Sequence, residues 1–441
     1  MLKKYVLSVI LSFLFGSFGF SQTGPGGVGT NDGTSDLVMW FRVDNGLISS
    51  GTNISNWINS AGYGVHDMTQ AGSTNPQLIL NSLNGYNEIQ FNSSGILQTG
   101  LNLTTSNFVT NQASSFIYTK ANSITTSFPY TTLPAAGQRF MCHIPWSNGI
   151  VYFDIGQCCG AASRIQVGGL SNLTDYSLWS YDANPTSGKQ LYRNGALLQS
   201  RANTSTYTSH ASHRFGLGQN FNGNMTEVIV FREKVNTAQR LIIENYLTAK
   251  YGNALVNNDI YIQDNPINGN YDHDVAGIGQ ANDGTNQTDS QGTGIVRISG
   301  AIDLNNNEFL IWGHDNGNLL VNNTTDVPPN GVYARLDRVW RVNESNDTGI
   351  SVDVGQVDMV VDMSGISGFE PSRPPLLLID TNNDGTFNNE NSLVGTSLGS
   401  NLYRFSAVTT LEDNLRFTFG IAPKTIITNR KITYRVNKTA P

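Results

Sequence analysis

At 441 residues the chain is longer than one hydrophobic core ordinarily fills, so two domains are expected. Only 13% of its residues are charged and the formal net charge is −7. An acidic surface solvated by amides and hydroxyls disfavours nucleic acid as a partner and suits divalent cations better. Three cysteines, Cys142, Cys158 and Cys159, are too few for a disulfide-stapled scaffold.

The first 21 residues read as a secretory leader. Lys3 and Lys4 precede an apolar run from Tyr5 to Phe18, and Gly19 and Ser21 place small residues at the −3 and −1 positions of a cleavage site before Gln22. That run is shorter than the roughly 20 residues a bilayer span needs, and no later segment could serve as a transmembrane helix. A secreted or extracellular cell-surface protein is therefore expected. Residues 22–33, QTGPGGVGTNDG, are rich in Gly and poor in apolar side chains, and predict a flexible lead-in.

From residue 34 short runs of β-branched and aromatic residues recur between Asn, Gly and Ser clusters. They predict strands at Leu37–Phe41, Gln77–Leu80, Glu88–Phe91, Ser115–Tyr118, Ile150–Ile155, Leu178–Asp182, Gln190–Arg193, Arg214–Leu217 and Thr226–Phe231. Many short strands of this kind make a sandwich or barrel. Asn194-Gly195 between strand-like flanks predicts a hairpin with a type I′ turn. In an oxidising compartment a disulfide from Cys142 to one of the Cys158-Cys159 pair is expected, with one thiol left over.

One helix interrupts the pattern. Asn236 with Gln239 three residues on forms a capping box, Ala238, Leu241, Ile242, Tyr246 and Ala249 share a face, and Lys250 precedes a terminating Gly252. This helix should close a first domain over residues 34–253. Strands resume at Val275–Ile278, Ile295–Ile298, Glu308–Trp312, Arg338–Val342, Ile350–Val354, Met359–Met363, Pro375–Ile379, Leu402–Ala407 and Asn414–Phe419, predicting a second β domain over residues 256–422. Residues 423–441 carry Lys424, Arg430, Lys431, Arg435 and Lys438 and no acid. They read either as a basic edge strand and linker or as the stub before a further module, the second being preferred.

Two stretches carry a resemblance. Leu191-Tyr-Arg-Asn-Gly-Ala-Leu, Phe215-Gly-Leu-Gly, Phe221-Asn-Gly-Asn-Met-Thr-Glu-Val-Ile-Val-Phe and the helix ending in Tyr246-Leu-Thr-Ala-Lys-Tyr-Gly252 resemble the C-terminal half of a laminin-G or concanavalin A-like lectin/glucanase domain. Leu37-Val-Met-Trp-Phe with Asn56-Trp57 fits its N-terminal half. The resemblance implies an all-β fold, a laminin-G-like jelly-roll sandwich followed by a second β-sandwich-like domain. His273-Asp-Val-Ala-Gly-Ile-Gly279, Phe309-Leu-Ile-Trp-Gly-His-Asp315 and Leu336-Asp-Arg-Val-Trp-Arg341 are similar to a β module of secreted Bacteroidota surface proteins, which commonly use type IX secretion and a C-terminal sorting domain. No clear sorting domain is present, which agrees with a chain cut short.

Asp380-Thr-Asn382-Asn-Asp384-Gly385-Thr386-Phe-Asn388-Asn-Glu390 matches the first half of a calcium loop, with oxygen ligands at positions 1, 3 and 5 and Gly at 6. It departs at position 12, where Asn391 stands and Glu390 falls one place early. Calcium held by Asp380, Asn382, Asp384, Thr386, Asn388 and Glu390 is one reading, and an Asx-rich turn between strands is the other. In the first domain Trp146, Asp154, Asp182 and Asn184 are the candidate ligand-binding residues, because aromatic faces take the apolar C–H surface of sugars while carboxylates and amides meet their hydroxyls. Core and turn-capping roles compete for each. Asp272-His273-Asp274 is a weaker metal candidate.

Paired carboxylates at the spacing that retaining glycosidases place on jelly-roll strands are missing, as are Gly-x-Ser-x-Gly, His-Glu-x-x-His and a phosphate-cradling Gly loop. The sequence thus predicts a non-catalytic protein that binds a polysaccharide or cell-surface glycan and mediates adhesion. A structural stalk without a ligand is the alternative, and a polysaccharide-cleaving enzyme the third reading.

Overall fold

The strand Asn222–Phe231 is buried along nearly its whole length and is the axis of the first domain. Its run Met-Thr-Glu-Val-Ile-Val-Phe shows no apolar-polar alternation, as a strand covered on both faces requires. In the computed structural model, which describes residues 22–424 except 102, 105, 106, 135, 136, 203 and 204, this strand pairs antiparallel with Leu37–Arg42 on one side and Ala113–Ala121 on the other. The sheet continues through Ser177–Asn184, Gly188–Arg193 and Ala196–Arg201. The last two form the expected hairpin, with Asn194 at φ 48° and Gly195 at φ 78°. The expected leader and the tail beyond residue 424 lie outside the described residues.

A second layer covers the inner face of this sheet. Arg214–Gln219 pairs with Phe128–Leu133, which touches Gln138–His143, followed by Val151–Gln157 and Arg164–Val167. On the other flank lie Leu97–Thr99, Met68–Gln70, Asn53–Trp57 and Leu47–Ser50. Aromatic rings fill the space between the layers: Phe153 stacks on Tyr181 at 5.2 Å, Tyr130 on Phe140 at 5.2 Å, and the Tyr130 hydroxyl meets the Ser115 hydroxyl at 2.8 Å. Cys142 belongs to this core and carries no disulfide, while Cys158 and Cys159 are paired with each other. The expected bridge from Cys142 therefore does not form, because its side chain points into the core and Cys159 lies on the opposite face of the layer.

The helix spans Thr237–Tyr251 and both capping-box bonds are made, Gln239 N–H to Asn236 Oδ1 at 2.9 Å and Asn236 N–H to Gln239 Oε1 at 3.1 Å. Gly252 ends it in the left-handed conformation, φ 70°. One apolar face was expected, yet every residue from Arg240 to Tyr251 is buried. The reason is its position: the first domain lies on one side, and on the other Gly277, lacking a side chain, lets Ile242 approach the strand His273–Gln280.

That strand and its neighbour Glu308–His314 begin the second domain, which is antiparallel throughout its named strands. One sheet runs from His273–Gln280 through Glu308–His314, Trp340–Ser345, Arg416–Ile421 and Pro375–Asp380 to Ser392–Val394. The facing sheet runs from Asp289–Ser290 through Val296–Ser299, Val357–Asp362 and Leu402–Val408 to Thr396–Gly399. The predicted strand at Ile350–Val354 is not formed, and its backbone makes one isolated bridge, Ser345 to Ser351. Ala276, Ile278, Leu310 and Trp312 face the core of this second sandwich, whereas Val275, Phe309 and Ile311 belong to the core of the first. Period-two alternation thus gives each domain one face of the same two strands, and the expected boundary near residue 255 is crossed by a continuous apolar layer.

The lead-in is likewise built in rather than flexible. Residues 24–28 are buried, and Gly27 O accepts from Gln287 Nε2 at 3.1 Å and from Ser290 Oγ at 3.2 Å. Gln22 O accepts the backbone N–H of Gln291 at 3.0 Å and of Gly292 at 2.9 Å. Glycine permits this closeness: Gly27 sits at φ 87°, and a Cβ there would lie 2.5 Å from that of Ser290. The low apolar content that suggested a linker instead lets bare backbone wedge between helix and sheet.

A buried charge joins these layers. Glu227 on the axial strand accepts from Trp40 Nε1 (2.6 Å), Tyr246 Oη (2.9 Å), Tyr251 Oη (2.7 Å) and Lys250 Nζ (2.9 Å). Lys250 also reaches Asp44 at 3.0 Å. Burial pulls the Lys250 ammonium down, but Asp44 and Glu227 more than offset this and hold it above the ordinary lysine value. Glu227→Ala strands Lys250 and three donors, and should cost about 3–5 kcal/mol, measured as a lower urea midpoint at unchanged slope.

Candidate functional site

The strands Gln138–His143 and Val151–Gln157 alternate. Phe140, Cys142, Phe153 and Ile155 enter the core, while Arg139, His143, Tyr152 and Asp154 lie on the opposite face. With Phe128, Trp146, Cys159 and Arg164 these residues build a recess of about 350 Å³, lined by Phe128, Arg139, His143, Trp146, Tyr152, Cys159 and Arg164. That volume lies within the range of small-molecule sites.

His143 is the hub of an aromatic wall. Its ring meets Trp146 edge-on at 4.4 Å, Phe128 at 4.5 Å and Tyr152 at 5.9 Å. Its Nδ1 lies 2.7 Å from Ser127 O, so Nδ1 carries the proton and Nε2 is an acceptor. Burial brings its pKa down to about 4, leaving the ring neutral at pH 7. Arg164 donates through Nε (2.7 Å) and Nη2 (2.6 Å) to the two oxygens of Asp154, and its guanidinium lies 4.5 Å over the Tyr152 ring. Arg139 Nη1 stands 3.9 Å from the same carboxylate, which is only 1% exposed. The lining itself contains no carboxylate.

Of the four expected ligand-binding residues, the structure brings two to this recess: Trp146 forms its wall and Asp154 lies beneath it, holding Arg164. Asp182 and Asn184 are on the strand Ser177–Asn184 of the other layer. Asp182 is buried and accepts from Ser114 Oγ, with burial raising its pKa. Asn184 donates to Gln112 and accepts the N–H groups of Thr186 and Ser187, which shapes a turn. Phe128, Arg139, His143, Tyr152 and Arg164 were missed. The legible signal was spacing, since Arg139 and His143, and Tyr152 and Asp154, each share a face of their strand.

The Asp380–Glu390 loop is closed by its own groups. Asp380, buried at the end of its strand, takes Arg416 Nη1 at 3.1 Å and the N–H groups of Asp384 at 3.0 Å and Gly385 at 2.9 Å. Asp384 is exposed and accepts from Thr386 N (2.8 Å), Thr386 Oγ1 (2.8 Å), Asn382 Nδ2 (2.9 Å) and Asn389 Nδ2 (3.0 Å). The Thr386 bonds chiefly hold its carboxyl down at about 2. Glu390 turns back to Thr381, accepting from its N–H at 3.1 Å and its hydroxyl at 2.7 Å, and Asn388 is exposed. Asp272 and Asp274 diverge: Asp272 pairs with His273 and takes Asn84 Nδ2 at 2.7 Å, while Asp274 meets His314 Nε2 at 2.8 Å. Among the described residues no group of three His, Cys, Asp or Glu could hold a metal ion, and no helix is long and apolar enough to cross a membrane.

Residues 239–414 match the model of a domain of unknown function (DUF8202), which begins inside the helix. No curated protein matches the chain. Solved structures with similarity include the binding domain of botulinum neurotoxin serotype D, 13% identical, with a TM-score of 0.37 over 86% of this chain and 98% of that one. Domain 4 of AbnA, a GH43 extracellular arabinanase from Geobacillus stearothermophilus in complex with arabinotriose, is 13% identical, with a TM-score of 0.31 over 45% of this chain and 94% of that one. The Ruminococcus gnavus IT-sialidase CBM40 bound to α2,3 sialyllactose is 14% identical, with a TM-score of 0.26 over 30% and 82%.

The neutral His143 sets a pH dependence. Unfolded, it protonates near its ordinary 6.5; folded, only near 4. Between these values the unfolded chain holds the extra proton, so stability present above pH 6.5 is lost as pH falls towards 4. His143→Gln should flatten this part of the profile, measured by denaturant unfolding at pH 7 and pH 5.

Proposed function

We propose that the protein binds carbohydrate in the recess on the outer face of the first sandwich. The observation that carries this reading is a concavity walled by Phe128, Trp146 and Tyr152 and equipped with polar edges from His143, Arg139 and Arg164. A sugar ring offers apolar C–H faces to such a wall and hydroxyls to the imidazole acceptor and guanidinium donors. Binding without hydrolysis is favoured because no carboxylate lines the recess and Asp154 is engaged by Arg164, whereas paired-carboxylate glycosidases need two acids about 5–9 Å apart. Adhesion at a bacterial surface after export through the leader is the setting proposed for this activity.

On a glycan array the protein should retain a restricted set of saccharides and release no reducing sugar from them. Trp146→Ala should weaken that binding at least about tenfold, the loss of one stacked ring, with the melting temperature nearly unchanged. A blank array would leave the structural-stalk reading in its place.

For the Asp380–Glu390 loop we propose the Asx-rich turn over the calcium site. Arg416 neutralises Asp380, and a cation would have to displace it and break the hydrogen bonds of Asp384. Titrating calcium into the native protein and into Asp384→Ala should give equal heats. A calcium heat that disappears in the variant would establish the metal.

A further inference from the structure

We propose that the Cys158–Cys159 disulfide gates the recess: intact, it fixes the turn that walls one side of the site, and its opening by a dithiol reductant weakens the binding of sugar. The inference rests on the glycan reading and adds the regulation of that site.

The three cysteines fall into two environments. Cys142 is fully buried in the core of the first sandwich, and burial pushes its thiol well above the ordinary value, so it stays protonated and out of reach of reagents. Cys158 is half-buried and Cys159 exposed, and they are bonded to each other on the turn that joins Val151–Gln157 to Arg164–Val167. A disulfide open to solvent is the kind with which thiols exchange. A bridge between adjacent residues also closes hardly any loop, so in the chain-entropy account it adds almost nothing to global stability. What it can fix is the turn itself.

That turn belongs to the recess, because Cys159 lines it together with Tyr152 and Arg164. The chain is tied down on both sides of the pair. Cys158 N–H donates to Gly137 O at 2.7 Å, and Gly160 O accepts from Ser163 N–H at 3.1 Å and from Arg164 N–H at 3.0 Å. Lys189 Nζ adds bonds to Ala161 O at 3.1 Å and Ala162 O at 2.6 Å. The bridge sits between these anchors and removes the rotamer freedom of both cysteines. A wall that is already ordered spares the ligand the cost of ordering it. Opening the bridge returns that freedom beside Arg164, whose guanidinium holds Asp154.

The exchange balances within the pair and its reductant. A thiolate of the dithiol attacks one protein sulfur, the Cys158–Cys159 bond breaks as a mixed disulfide forms, and the second thiol of the reductant then displaces the protein sulfur. The protein gains two electrons and two protons, and the reductant leaves as its own disulfide.

The test probes a printed glycan array with the full chain across a concentration series, once oxidised and once in dithiothreitol, and counts maleimide-reactive thiols on the folded protein in each state. Reactive thiols should rise from none to two, since Cys142 stays buried. The melting temperature should hardly move, while affinity for the retained saccharides should fall about fivefold, the effect of freeing side chains that a ligand must order again. Removing the reductant in air should restore it. The double variant Cys158→Ser, Cys159→Ser should bind at the reduced level and ignore dithiothreitol; should it fail to fold, the reduced native protein decides the matter.

Equal or tighter binding after both thiols have opened would overturn the gate and keep the glycan reading, as would a sugar-binding protein whose pair resists dithiothreitol. A folded protein that retains no glycan in either state would overturn both.

Discussion

The molecule is organised around one carboxylate taken out of water. Glu227 lies fully buried on the axial strand, and a charge in that position is tolerable only if every lone pair is used. Trp40 from the neighbouring strand, and Tyr246, Lys250 and Tyr251 from the helix, supply the donors. These bonds fix where along the strand the helix sits, which apolar contact alone, being non-directional, would specify less sharply. Once the helix is placed, its far side becomes the floor on which the second domain packs, so both halves inherit their position from the same acid.

The recess depends on the same core less directly. Each residue that lines it from a strand is held by neighbours turned the other way: Phe140 and Cys142 flank the backbone that projects Arg139 and His143, and Phe153 anchors the strand between Tyr152 and Asp154. Because those inward rings are packed against Tyr130, Tyr181 and Phe215, the outward groups stand on a stiff support. A site on rigid strands loses little freedom when a ligand arrives, which favours recognition by shape and charge over induced closure.

Much of the fold was legible because it follows from local rules. The capping box at Asn236 and Gln239, the Asn194-Gly195 turn and most strands were readable from a few adjacent residues each. What failed was non-local. QTGPGGVGTNDG has the composition of a linker, and only its partners, Gln287, Ser290 and Ile242, turn it into a buried wedge. Ile350–Val354 has the composition of a strand, but it meets the neighbouring strand Trp340–Ser345 only at one isolated bridge, Ser345 to Ser351. In the candidate site, Trp146 and Asp154 stood out as an aromatic and an acid near a turn. Asp182 and Asn184 were grouped with them only by residue type, and topology sends their strand to the other layer. Arg139 and Arg164 carry no signal in their local sequence; they come together only because both approach Asp154 from neighbouring strands.

The wedge at residues 24–28 has a consequence for the order of assembly. Gly27 is bonded to Gln287 and Ser290, some 260 positions further along, so a stretch made near the beginning cannot find its seat until the strands near residue 290 exist. The helix it leans on, and the sheet behind that helix, must also be in place. Contacts separated so widely close slowly, and completion of the architecture is deferred until well past the midpoint of synthesis. Until then the stretch around Gly27 lacks the partners that hold it.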